Sequence, residues 1–380
     1  MDTYKSIVVL PFSNLSSDPE NEYFADGVTE EIIIALSKIE GLMVTARTSS
    51  FAYKGKDLDI RHIGNELGVT MALEGSIRKS VNRVRISAQL VRTDNGFQVW
   101  SESFDRDLQD IFKLQDEISL FIAEKIRENF GHFEINEHLV VTATTNIEAY
   151  TLYLKGRYYQ LRWNFDEFDI AIDHYKKSIA LDPEFHRPYF GLLQCYGLKA
   201  SWGAMDKQEG LEKANQYLIM GLKKNSQTSE AYFALATKAL WVDWQPQEAL
   251  RLLAEALAIN PNDTEALESA AEAHIALGSF QEASTCIKKA LQVNPLSANH
   301  HFTLGNIHYL QGHYNEALKW FRSSLDIDPS WEFSLQVSAL CYIFQKDKAR
   351  LDTLLQAHPQ LKEGHLFPLL YQAINEGKTI

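Results

Sequence analysis

FADGVTEEIII, residues 24–34, sets an aspartate beside a glycine and follows them with a threonine and two glutamates. Carboxylates in such a run can ligate a hard cation or exchange protons. Asp18, Glu20 and Glu22 lie just upstream and could complete a ligand set. The spacing is not that of an EF-hand loop, however. The residues fit a helix start better. Asp26 or Gly27 caps, and Glu30 and Glu31 fall in the first turns, where negative charge opposes the positive end of the helix dipole. Such a contact contributes about 0.3–1 kcal/mol. Tyr23 and Phe24 then staple the preceding loop to the helix. The expected role is structural.

Two other groups of side chains could do chemistry. In ARTSSFAYKG, Arg47, Thr48, Ser49 and Ser50 offer donors to an anion or carboxylate, beyond the carboxyl end of a strand, where open α/β sheets bind ligands. The alternative is that Arg47 pairs with Asp26 or Glu30. In NHHFTLGNIHYLQGHY, His301 and His308 share a helix face, with His300 and His313 nearby. A zinc site usually adds cysteine or carboxylate at close spacing. These positions read instead as packing sites, and no metal is expected. Cys195, Cys286 and Cys341 are too far apart for a metal or disulfide framework and read as small apolar residues. Catalytic triads and phosphate-loop glycine runs are missing, so no enzyme and no cofactor are expected. The net charge of −13 argues against nucleic-acid binding through phosphate neutralisation, and equally against an anionic membrane surface. No apolar run is long enough to span a bilayer.

These residues need elements to hold them. SIVVLPFSNL reads as a buried strand, and DGVTEEIIIALSKIEG as a helix with Val28, Ile32, Leu36 and Ile39 on one face. LMVTAR is a second strand and DLDIRHIGNELG a short helix. Three strands follow, MALEGSIRK, RVRISAQLVR and FQVWSESF, the last two joined through the turn DNG. Val84, Ile86, Ala88 and Leu90 alternate with Arg83, Arg85, Ser87 and Gln89, giving one covered and one wet face. A helix over about 110–130 closes this part. GHFEINEHLVVTATTN, 131–146, reads as a linker packed partly on the first domain.

The second half repeats. Ala249, Ala283 and Ala317 are 34 residues apart, as are Pro261, Pro295 and Pro329. Helices of a hairpin approach closely only at small residues, supplied by Ala271 and Gly305 on the first helix and Ala283 and Ala317 on the second. Gly278 and Gly312 end first helices at positive φ. Proline stops each second helix. LGNIHYLQGHYNEALKWFRSSLDIDP resembles the tetratricopeptide repeat, and the likeness covers 147–350 with about five repeats plus a degenerate one. The first two repeats are lengthened in their turns. Residues 351–380 read as capping helices that cover the last apolar face.

VLPFSNLSSDPENEYFADGVTEEI, ARTSSFAYKG, IGNELGV and LEGSIRK resemble the TolB-like amino-terminal domain over 1–130. The fold class is therefore α+β: a small mixed-sheet α/β domain followed by an all-α tetratricopeptide-repeat superhelix. The resemblance implies a non-enzymatic regulatory or sensory module of a bacterial signalling protein, as in transcription regulators and class III adenylate cyclases. Neither a DNA-binding nor a cyclase domain is read in these residues, so a stand-alone or excised regulatory region is expected. The alternative is a structural adaptor of the bacterial envelope. The sequence upstream of Ser6 discriminates: an effector domain favours the first, a secretion signal the second.

In the repeat family, first-helix positions two, five and nine line a concave groove. They are Glu230, Phe233 and Thr237, then Glu265, Glu268 and Glu272, then Asn299, Phe302 and Asn306, with Tyr309 one turn on. Acidic residues there predict a protein or peptide partner of basic character. A clamp for a terminal carboxylate is not expected, because it needs Lys or Arg at those positions. A homodimer is compatible with this reading. The unpaired cysteines point to the cytoplasm, with the periplasmic side of the inner membrane as the alternative.

Overall fold

The computed structural model describes residues 5–130, 134–135, 137–140, 142–162 and 164–362. The chain divides into two compact units, 1–266 and 267–380.

The first unit opens with β1 (Ser6–Val9), β2 (Ser13–Asn14), α1 (Glu22–Ser37), β3 (Met43–Val44), α2 (Arg47–Phe51) and α3 (Ile60–Leu67). β4 (Met71–Lys79), β5 (Arg83–Arg92), β6 (Gln98–Asp107) and α4 (Ile111–Phe130) follow. The sheet order is β3-β1-β4-β5-β6, with β2 beside β4. β1 runs parallel to β3 and β4, while β5 is antiparallel to β4 and β6. The expected alternation in β5 is real: Val84, Ile86, Ala88 and Leu90 are buried, and Arg83 and Arg85 are exposed. Gly96 takes φ +76° in the turn between β5 and β6, a conformation that favours glycine.

α1 begins earlier than the sequence pattern indicated. Asp18 accepts from Glu20 N and caps a short 3₁₀ turn, Pro19–Asn21, which runs straight into Glu22. Asp26 and Gly27 therefore lie inside the helix and cap nothing. Tyr23 and Phe24 are buried helix residues, where a staple on the loop was expected.

Helical hairpins complete this unit: α5 (Ile147–Gln160) with α6 (Phe165–Leu181), α7 (Arg187–Ser201) with α8 (Lys207–Lys224), and α9 (Ser229–Trp241) with α10 (Pro246–Ile259). One apolar core runs without a break from the sheet through α1 and α4 to Tyr150, Tyr153 and Tyr175 of the first hairpin. Between α4 and α5, Asp116 accepts from the Leu139 and Val140 amides at 2.7 and 2.9 Å, and Lys38 Nζ donates to Leu139 O.

α11 (Thr264–Ala276) contains the division between the units. The second unit continues with α12 (Phe280–Val293), α13 (Ala298–Leu310), α14 (Tyr314–Ile327), α15 (Glu332–Phe344), α16 (Lys348–Ala357) and a 3₁₀ turn, Pro359–Lys362. The expected capping segment beyond 362 lies outside the described residues. A Cβ on Gly305 would sit 2.6 Å from the Phe321 ring, so the small residue is what allows α13 and α14 to approach. Gly278 and Gly312 end α11 and α13 at φ +73° and +77°. Lys346 fills the equivalent place after α15 at φ +58°. A side chain there is strained, so Lys346→Gly is expected to stabilise this unit by about 0.5–1 kcal/mol. A higher denaturant midpoint would register it; a lower one would contradict it.

Candidate functional site

The carboxylates of FADGVTEEIII are buried on α1 and face cations from α2, from the turn that follows it and from the helical repeats. Asp26 takes the Lys54 ammonium at 2.6 Å. Glu30 pairs with Arg157 of α5, and Arg47 Nε lies 3.6 Å from its second oxygen. Glu31 Oε1 accepts from Arg187 Nη1 of α7 at 2.7 Å. Arg187 also stands 3.6 Å from Glu230 and 4.8 Å from the centre of the Tyr153 ring. Burial alone would raise the Glu30 pKa, but Arg157 and Arg47 outweigh it and hold the carboxyl below its ordinary value. At Asp26 burial prevails over Lys54, and the pKa is raised.

Gly27 explains why α1 and α5 come so close, since a Cβ there would meet Leu154 at 2.8 Å. Asn262 adds a further tie, donating to the carbonyls of Ser37 and Leu42 at 3.0 Å each, at the end of α1. The acidic stretch is thus neither a metal loop nor a helix cap. It is one side of a buried ionic seam between the α/β domain and the first hairpins. Sequence reasoning missed Arg157 and Arg187. The available signal was a glycine among acids at helical spacing, which marks a close helix contact rather than a solvated face.

The residues expected to hold an anion at 47–50 form the short helix α2. Arg47 stacks on Phe51 at 3.9 Å and faces Glu30, the alternative pairing considered for it. Ser50 donates to the Val9 carbonyl, Ser49 is buried, and Thr48 is exposed. Of the histidines, His300 is buried with Nε2 3.5 Å from Glu268, and His301 Nε2 lies 3.0 Å from Pro295 O. Among the described residues, no group of three His, Cys, Asp or Glu side chains is placed to hold a metal.

The expected groove residues fall in both units. In the first, Glu230 faces Arg187, Phe233 is half-buried, and the Thr237 hydroxyl donates to Phe233 O; Glu265 is exposed. In the second, Glu268 Oε1 accepts from Asn299 Nδ2 at 2.6 Å and from Thr303 Oγ1 at 3.1 Å. Phe302 lies between Phe321 and Phe333, each 5.8 Å away, and Tyr309 packs by Tyr314 and Phe344. Glu272 and Asn306 are half-buried, without hydrogen-bond partners among the described residues. Burial and then the charge of Glu268 push the Glu272 carboxyl up to about 8.

Residues 269–330 match a family model described as tetratricopeptide repeat. These are tetratricopeptide repeats. Residues 3–121 match the model of the second domain of HilA/YgeH-like transcriptional regulators. The TolB-like assignment of this domain is not confirmed; the regulator-type match stands in its place. A protein of Rhizobium meliloti (strain 1021) named "Putative adenylate cyclase 3" is 48% identical over 159 residues, which is 42% of this chain and 27% of that protein. The chain therefore spans about a quarter of that curated relative. The crystal structure of the APC/C hetero-tetramer Cut9-Hcn1 is similar at a TM-score of 0.50 and 18% identity, over 59% of this chain and 42% of that one. Pseudomonas aeruginosa pilF gives 0.45 and 14%, over 60% and 97%. At 18% identity the likeness to the Cut9-Hcn1 structure is one of fold. Among the described residues, no helix is long and apolar enough to cross a membrane.

Proposed function

We propose that this chain is the non-catalytic regulatory region of a bacterial signalling protein or transcription regulator, acting in the cytoplasm and binding a protein partner through its repeats. The observation that carries this reading is the presence in one chain of a regulator-type domain over 3–121 and tetratricopeptide repeats over 269–330. The cyclase-named relative supports a signalling context. The unpaired cysteines support a reducing compartment.

Within the second unit, Glu272 is the group best suited to meet a partner. Glu268 is already held by Asn299 and Thr303, whereas Glu272 has neither cation nor donor. A lysine or arginine of a basic peptide supplies both, and Asn306 is free to bond a peptide backbone. Pairing with a cation requires Glu272 to be ionised. Its carboxyl is pushed up to about 8, so peptide affinity is expected to rise as the pH climbs through about 8 and to level off above it. Fluorescence anisotropy with lysine-rich peptides tests this. Glu272→Lys is expected to weaken binding by about tenfold or more. A preference for acidic peptides, unchanged by Glu272→Lys and Glu268→Lys, would sink the reading.

A further inference from the structure

A second cluster of charges lies on the seam of the first unit, away from the paired acids. Lys79 ends β4, Tyr23 lies in the first turn of α1, and Lys155 sits within α5. Lys79 Nζ donates to the Tyr23 hydroxyl at 2.9 Å and lies 4.9 Å from the centre of the Phe24 ring. Lys155 Nζ lies 5.0 Å from the centre of the same Tyr23 ring. Among the described residues, neither ammonium has a carboxylate at ion-pair distance. Elsewhere on the seam, Lys54, Arg157 and Arg187 each have one.

Two cations gathered on one buried ring, in a chain of net charge −13, repel each other. Burial and then Lys155 depress the Lys79 pKa. Asp18 offsets only part of this, and its carboxylate is already engaged with the Glu20 amide at 2.9 Å. The Tyr23 hydroxyl accepts from Lys79, so its own proton remains available to donate. Two ammonium groups and a phenol O–H match an anion with several oxygens and more than one charge. Lysines hold phosphate as point charges, through short charge-assisted hydrogen bonds.

We propose that Lys79, Lys155 and the Tyr23 hydroxyl bind the phosphate group of a small ligand at the junction of the α/β domain and the first repeat hairpin. A bound phosphate ties β4 and α1 to α5, across the contact that joins the regulator-type domain to its repeats. The site is independent of the peptide-binding reading: it draws on the first unit alone.

The full chain would be titrated calorimetrically with inorganic phosphate and, separately, with glycerol 3-phosphate, each against chloride at matched ionic strength. Saturable binding with a rise in Tm is expected. Lys79→Gln and Lys155→Gln should each weaken it by about tenfold, Tyr23→Phe by less, and the surface variant Lys213→Gln not at all. Lys155 is half-exposed on a helix, so Lys155→Gln keeps the fold, which circular dichroism verifies. Tighter binding of the ester identifies a phosphorylated small molecule, and equal binding identifies the ion itself; both support the site. Absence of saturable binding with either probe, or binding undiminished in the Lys79→Gln/Lys155→Gln double variant, overturns it.

Discussion

Arg187→Ala is expected to lower the stability of the 1–266 unit by about 3–5 kcal/mol, the usual cost of removing one partner from a buried ion pair. The side chains of Arg187 and Glu31 are only 13% and 10% exposed. Truncation leaves Glu31 buried without its hydrogen-bonding cation, uncovers the Tyr153 ring and releases Glu230. The size of the effect reflects that uncompensated charge, not the net value of the pair. A double variant separates the two. Arg187→Met with Glu31→Gln removes both charges and keeps most of the volume, so it should recover much of the loss. Recovery stays incomplete because Glu230 also loses its partner. Denaturant unfolding followed by a probe in the first unit measures both. A single variant within about 0.5 kcal/mol of the parent would show that the seam bears no weight.

The same seam sets an acid limit. The folded Glu30 carboxyl titrates below its ordinary value of 4.5. Its contribution is therefore full above that value and is lost as the pH falls through the lower folded one. Arg157→Ala should weaken this acid sensitivity, since Arg157 is the largest of the charges that lower the Glu30 pKa.

Much of the architecture was legible because its causes are local. The 34-residue spacing of Ala283 and Ala317, the Gly312 turn and the alternation of β5 each act through neighbours within one hairpin or strand pair. The role of FADGVTEEIII was not legible for the opposite reason. Glu30 meets Arg157 across 127 residues of chain, and Glu31 meets Arg187 across 156. No spacing rule connects them, and local reasoning assigned the glutamates to the nearest helix dipole. Thr48, Ser49 and Ser50 were not assigned to a helix, because the five residues of α2 carry too little periodicity to mark it. In the groove stripe, the sequence placed Glu268 at position five of one repeat and Asn299 at position two of the next. It could not show that each satisfies the other, which singles out Glu272.

The tightest packing in the repeats makes glycine substitutions diverge in sign. The Tyr175 ring is fully buried between α5 and α7, with Gly156 on one side and Gly191 on the other. A Cβ on either glycine would come within 2.5 Å of the ring. The ring has little room to move, because its hydroxyl donates to Gln160 Oε1 and Tyr153 packs alongside at 6.0 Å. Gly156→Ala is therefore expected to destabilise the first unit by about 1–3 kcal/mol, through overpacking. Gly197 lies in the interior of α7, where a Cβ would meet nothing within 4 Å. Gly197→Ala should stabilise by about 0.5–1 kcal/mol, because alanine loses less backbone entropy in a helix. Both variants exchange the same residue types, so the difference in sign isolates the ring contact from helix propensity. Thermal unfolding of the pair measures it. Equal shifts would mean that α5 and α7 can separate around Tyr175, and the fixed seam they form with α1 would then have no rigid base.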